Sequence, residues 1–110
     1  MMTMKQATLR FLCGTDEVAP NTARRAEVEG LPALAVYNLD GEFFVTDDRC
    51  THGEASLCEG EIDGGDIECP FHQGTFDIRT GKPTGAPCRI ALKTYPVVIR
   101  DGSVHVRIDE

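Results

Sequence analysis

The chain has 110 residues, 18 acidic and 11 basic, giving a formal net charge of −7. That length holds one domain, and the acidic balance argues against a nucleic-acid or anionic-membrane partner. No stretch approaches the ~18–20 consecutive apolar residues of a membrane span, and residues 1–6 lack the apolar core of a secretory leader.

Eleven glycines and six prolines punctuate short segments of alternating character, which is the pattern of β structure. In chain order, a first strand is predicted over residues 7–12. A brief helical turn follows Thr15-Asp16-Glu17, and a charged edge strand covers residues 24–28. Residues 34–38 and 42–46 flank Asp40-Gly41, a strong signal for a two-residue hairpin turn. Residues 47–89 are rich in Gly, Pro, Cys and His; short strands are expected there at 67–68 and 75–78, with a turn at Thr80-Gly81. Residues 97–100 and 103–108 flank Asp101-Gly102, a second hairpin. No segment has a helical period of useful length. The expected layout is a single all-β domain over 1–110, in which scaffold strands at both ends carry a metal-bearing insert over about 47–89.

That insert holds Cys50-Thr51-His52 and, after sixteen intervening residues, Cys69-Pro70-Phe71-His72. A structural zinc finger usually takes its sulfurs from one C-x₂₋₄-C turn and its imidazoles from a separate H-x₃₋₅-H stretch. Here each turn supplies one thiol and one imidazole. Bringing the turns together sets two sulfurs on one side and two imidazoles on the other. Such a set suits a [2Fe–2S] cluster, with Cys50 and Cys69 on one iron and His52 and His72 on the other. Imidazoles leave the cluster less negative and easier to reduce than four thiolates do. They also reach further than cysteine, which makes His52 and His72 the expected point of electron entry and exit. Gly53, Pro70 and Gly74 supply tight turns that let backbone amides approach the inorganic sulfides. A mononuclear Cys₂His₂ zinc or iron site is the competing reading.

Five cysteines is an odd number, and Cys13, Cys58 and Cys88 are too few and too scattered for a disulfide framework. A reducing, cytoplasmic setting is therefore expected. Cys58 reads as a free thiol near the first turn, Cys88 as a small buried side chain lining the same tip, and Cys13 as structural. His105 alternates with Val104, Val106 and Ile108 and is expected to face solvent. Glu59, Glu61, Asp63 and Asp66 lie between the turns, either as an orienting surface for a basic partner or as a solvated linker.

Over almost its whole length the chain resembles the Rieske-type ferredoxins of bacterial aromatic-ring-hydroxylating dioxygenase systems. Cys50-Thr51-His52-Gly53 and Cys69-Pro70-Phe71-His72-Gln73-Gly74 match that family's two cluster-binding loops. Thr84-Gly85-Ala86-Pro87 falls where its third loop covers the cluster, and Asp77, Thr80-Gly81 and residues 92–97 fit the same pattern. The resemblance implies three small antiparallel sheets with the cluster at the tip of the middle subdomain. It also implies a monomeric, non-catalytic carrier that takes single electrons from an NAD(P)H-dependent flavoprotein ferredoxin reductase. The receiver would be a Rieske non-haem iron terminal oxygenase. A Rieske-like small subunit of a nitrite reductase and a zinc-binding interaction module are the alternatives.

Respiratory-chain Rieske proteins add a cysteine to each loop, joined as a disulfide, and a Ser and a Tyr that hydrogen-bond the cluster region. Ala55 and Phe71 stand at those cysteine positions here, and Thr75 and Phe76 replace the Ser and Tyr. Fewer hydrogen bonds to sulfur stabilise the reduced cluster less. A potential near the lower end of the range of about −150 to +300 mV for Rieske centres is expected.

Overall fold

A computed structural model describes residues 7–51, 53–71 and 74–109. In chain order its strands are β1 (Ala7–Gly14), β2 (Thr22–Ala26), β3 (Leu34–Leu39), β4 (Glu42–Asp47), β5 (Glu61–Asp63) and β6 (Asp66–Glu68). There follow β7 (Thr75–Asp77), β8 (Pro83–Gly85), β9 (Thr94–Tyr95), β10 (Val97–Arg100) and β11 (Ser103–Asp109). They form three antiparallel sheets, ordered β1-β11-β10, β2-β3-β4-β9 and β5-β6-β7-β8. Two 3₁₀ turns, Thr15–Glu17 and Leu57–Glu59, complete the regular structure of the described residues, and no helix among them is long and apolar enough to cross a membrane.

Both Asp-Gly hairpins form. Asp40 and Gly41 take φ of 53° and 94°, and Asp101 and Gly102 take 50° and 73°. Two successive left-handed residues make the type I′ turn whose twist matches the flanking strands, and Asp and Gly tolerate it best. Leu39 consequently faces Glu42 across the first turn and Arg100 faces Ser103 across the second.

Other boundaries moved for physical reasons. The first strand continues to Gly14 because β11 pairs along its whole length, with a register shift between Phe11 and Cys13. Cys13 thus lies inside the strand, buried. β2 is an edge strand as expected but starts at Thr22, because its partner β3 fixes the register from Thr22 opposite Asn38 to Ala26 opposite Leu34. Residues 61–68 form a hairpin around Gly64-Gly65, with Asp63 opposite Asp66, and are not a linker. His105 does not simply face solvent. Its strand is the middle one of three, so Phe11 and Val98 flank it. The Phe11 ring packs edge-on at 5.8 Å, and the covered Nδ1 finds no hydrogen-bond partner among the described residues.

β3 is buried along all six residues and divides the molecule. Leu34 and Val36 project into a scaffold core with Cys13, Val45, Tyr95, Val104 and Val106. Ala35, Tyr37 and Leu39 project the other way, into a tip core with Leu57, Ile67, Phe76, Ile78, Cys50, Cys69 and Cys88. One strand, alternating with period two, therefore anchors the tip to the scaffold.

Candidate metal centre

The two cysteine turns have the same closure. The Cys50 amide donates to the Ala55 carbonyl at 3.0 Å, and the Cys69 amide donates to the Gly74 carbonyl at 2.7 Å. Each cysteine therefore opens a loop pinched shut by the residue five positions on. The first loop follows β4, above an Arg49–Ser56 bridge; the second joins β6 to β7. Cys50 and Cys69 are 1% and 0% exposed, both in the tip core, and no disulfide engages any of the five cysteines. His52 and His72, expected in the same two loops, lie outside the described residues.

A third loop covers this pair from β8. Cys88 is buried in the same core as Cys50 and Cys69. Burial first, then those two neighbours, push the Cys88 thiol up to about 11. Gly74 has to be glycine here, because a Cβ at that position would collide with Cys88 Sγ. Thr51 Oγ1 donates to the Ile90 carbonyl at 2.6 Å, tying the third loop to the first. Phe71 and Ile90 are 67% and 66% exposed, so an apolar side chain stands out beside each cysteine loop.

Asp48 was not singled out by sequence reasoning, although an acid two residues before the Cys-x-His turn was the available signal. It is buried, and its carboxylate accepts from Ser56 Oγ at 2.6 Å and from the Cys58 amide at 3.0 Å. Its amide donates to the Ala33 carbonyl, and its carbonyl accepts from Leu57. Asp48 thereby clamps the first cysteine loop to the β3 side of the molecule. Cys58 meets Ser56 and Asp48 rather than the paired cysteines, and burial raises its thiol. Cys13 sits in the scaffold core.

The donor set suits an iron–sulfur group. Two buried cysteine sulfurs, deprotonated on binding, would be soft anionic ligands of the kind such clusters take. Among the described residues, no group of three or more His, Cys, Asp or Glu is spaced to hold a metal ion. Cys88 therefore does not complete a mononuclear thiolate site with Cys50 and Cys69.

Three small antiparallel sheets, with one cysteine loop following β4 and a matched one joining β6 to β7, define an all-β protein of the cluster-binding class. The chain belongs to the Rieske [2Fe–2S] domain family, whose model matches residues 8–96. It is 45% identical over 101 residues to the 3-phenylpropionate/cinnamic acid dioxygenase ferredoxin subunit of Photorhabdus laumondii, covering 91% of this chain and 94% of that one. Among solved structures it resembles a ferredoxin of Sphingomonas yanoikuyae B1, with a TM-score of 0.89 and 50% identity over 92% of this chain and 99% of that one. The ferredoxin in a complex of reduced oxygenase and oxidised ferredoxin of carbazole 1,9a-dioxygenase matches with a TM-score of 0.85 and 43% identity, over 89% and 91% of the two chains. A small subunit of an NADPH nitrite reductase, at 23% identity and a TM-score of 0.76, shares the fold alone.

Proposed function

We propose that this protein carries single electrons from an NAD(P)H-dependent flavoprotein ferredoxin reductase to the Rieske non-haem iron terminal oxygenase of an aromatic-ring-hydroxylating dioxygenase. It is an electron-transfer component and does not itself turn over the aromatic substrate. One [2Fe–2S] cluster supplies the one-electron chemistry when bound. In this reading Cys50 and Cys69 bind one iron, and His52 and His72 bind the other. The observation that carries the assignment is the pair of identically closed loops, each delivering a buried cysteine to one core. Residues 47–89 act as the cluster-binding part of a single domain, and the setting is cytoplasmic and monomeric. Family membership disfavours the zinc module, and the relatives near 45–50% identity are ferredoxins rather than nitrite reductase subunits.

The protein's own residues prepare the transfer. Asp48 and the Thr51–Ile90 hydrogen bond hold the loops in one geometry, so little reorganises when the charge changes. Phe71 on the second cysteine loop and Ile90 on the third loop give a partner a small apolar contact, of the transient kind that buries less than ~1,200 Å². The acidic surplus speeds encounter with a basic partner and loses that advantage as salt screens it. The test is to add the purified protein to a reductase and oxygenase pair lacking its ferredoxin. NAD(P)H-dependent oxygenation should appear only with the cluster loaded; activity supported solely with a nitrite reductase would overturn the assignment.

A further inference from the structure

The two edges of the tip sheet carry opposite charge. Residues 54–68, which lead into and form β5 and β6, hold Glu54, Glu59, Glu61, Asp63, Asp66 and Glu68 and no Lys or Arg. The third loop leaves from β8, at the other edge of the same sheet. From 82 to 100 the chain holds Lys82, Arg89, Lys93 and Arg100 and no Asp or Glu. In a chain of net charge −7, this segregation sets a basic strip beside the cysteine loops.

Arg89 stands out on that strip. Arg24, Arg25, Arg49 and Arg79 each pair with a glutamate, whereas exposed Arg89 meets no carboxylate among the described residues. Its neighbours fix the backbone on both sides. Cys88 is buried with its amide on the Gly85 carbonyl, and the Ile90 carbonyl takes the Thr51 hydroxyl at 2.6 Å. Arg89 and Ile90, with Pro87 and Thr51, line a hollow of about 320 Å³ against the first cysteine loop. An arginine beside a 66% exposed isoleucine, both ordered before any contact, is the makeup of an interface anchor. We propose that Arg89 is a specificity-determining docking residue, whose guanidinium takes a surface carboxylate of the terminal oxygenase while Ile90 packs beside it.

Charge complementarity selects the occupant, since residues 82–100 offer the guanidinium no acid of their own. A planar guanidinium meets a carboxylate through two parallel hydrogen bonds, which fix orientation as well as adding affinity. The acidic surplus steers the reductase toward the β5–β6 edge. The basic edge therefore serves the acceptor, and donor and acceptor meet one tip in different orientations.

This inference rests on the carrier reading, and the experiment separates the two claims. Arg89→Lys, Arg89→Ala and Arg89→Glu are compared with wild type and with Arg100→Glu, which makes the same charge reversal on β10 of the scaffold. Each protein is reduced with dithionite, freed of excess reductant and mixed with the oxidised oxygenase in a stopped-flow instrument. The ferredoxin concentration giving half-maximal transfer should rise about tenfold in Arg89→Ala, further in Arg89→Glu and least in Arg89→Lys. Midpoint potential and EPR spectrum should match wild type throughout, and the reductase should reduce Arg89→Glu no more slowly. An unchanged half-saturating concentration in Arg89→Glu, or an equal rise in Arg100→Glu, would overturn the proposal. So would slower reduction by the reductase in place of weaker transfer to the oxygenase. Cluster-loaded wild-type protein that reduces no such oxygenase would defeat the carrier reading, and this contact with it.

Discussion

The scaffold and the tip of this molecule are built on different terms. β1, β3, β4 and β11 run for six to eight residues, long enough for alternating side chains to fill a core through pattern alone. β5, β6, β7 and β8 are three residues each. β6 and β7 bury only Ile67 and Phe76, and the hairpin of β5 and β6 sets Glu61 opposite Glu68 and Asp63 opposite Asp66. Like charges directly across a ladder are unfavourable. A sheet so short and so charged gains from another source of order, and a cluster bridging the two cysteine loops would provide one. Hydrophobic pattern alone holds the scaffold; the tip has its own apolar core around Tyr37, Leu57 and Phe76, to which bound ligands would add.

The largest test of that contrast is to remove a ligand. Cys50→Ser or Cys69→Ser should abolish cluster loading and melt the tip while the scaffold survives. Amide hydrogen exchange should then show protection lost in β5–β8 and kept in β3 and β11. Retained protection in β5–β8 of a cluster-free variant would mean the tip stands without the metal.

Core truncations sharpen the boundary. Leu34→Ala in the scaffold core should cost about 2–5 kcal/mol of unfolding free energy, with the EPR spectrum of the reduced protein unchanged. Phe76→Ala in the tip core should cost about 3–5 kcal/mol and also speed cluster loss. Anaerobic urea unfolding and EPR on the same samples check both.

Asp48→Asn probes the clamp between the regions. Weakening hydrogen bonds to a buried carboxylate should cost about 1–3 kcal/mol and shorten the lifetime of the bound cluster in a chelator challenge. Equal lifetimes would show that the first loop keeps its shape without this carboxylate.

The smallest effect is expected at the surface. Glu59→Gln, beside the first loop, should slow reduction by the reductase several-fold at low ionic strength and hardly at all at high. Stopped-flow rates indifferent to both salt and charge would remove the electrostatic part of docking and leave the apolar contact at Phe71 and Ile90.

The contrast also explains what the sequence revealed. Asp40-Gly41 and Asp101-Gly102 announced their hairpins because local φ preferences alone decide such turns. That Cys50 and Cys69 meet in one core was legible because mixed Cys/His spacing has few other uses. Strands of two or three residues, such as β8 and β9, have no period to detect and exist only because a neighbour pairs with them. The acidic stretch over 59–66 left a linker open beside an orienting surface for the same reason: its hairpin carries a single apolar pair, Ile62 opposite Ile67. His105 does take the face opposite Val104 and Val106, but alternation gives only the face of a sheet, not the Phe11 ring that a neighbouring strand lays against it. The burial of Cys88 at the tip follows the sequence reading, whereas the clamp made by Asp48 depends on contacts with Ala33, Ser56 and Cys58 that a local pattern only hints at.

The most direct test of the central claim is the metal and ligand chemistry of anaerobically purified protein. About two irons and two acid-labile sulfides per chain are expected. After dithionite reduction, an EPR-active centre should show hyperfine coupling to two imidazole nitrogens, lost stepwise in His52 and His72 variants. Stoichiometric zinc without sulfide, or a reduced cluster with no nitrogen coupling, would contradict the assignment of Cys50, His52, Cys69 and His72 as the ligands of a Rieske centre.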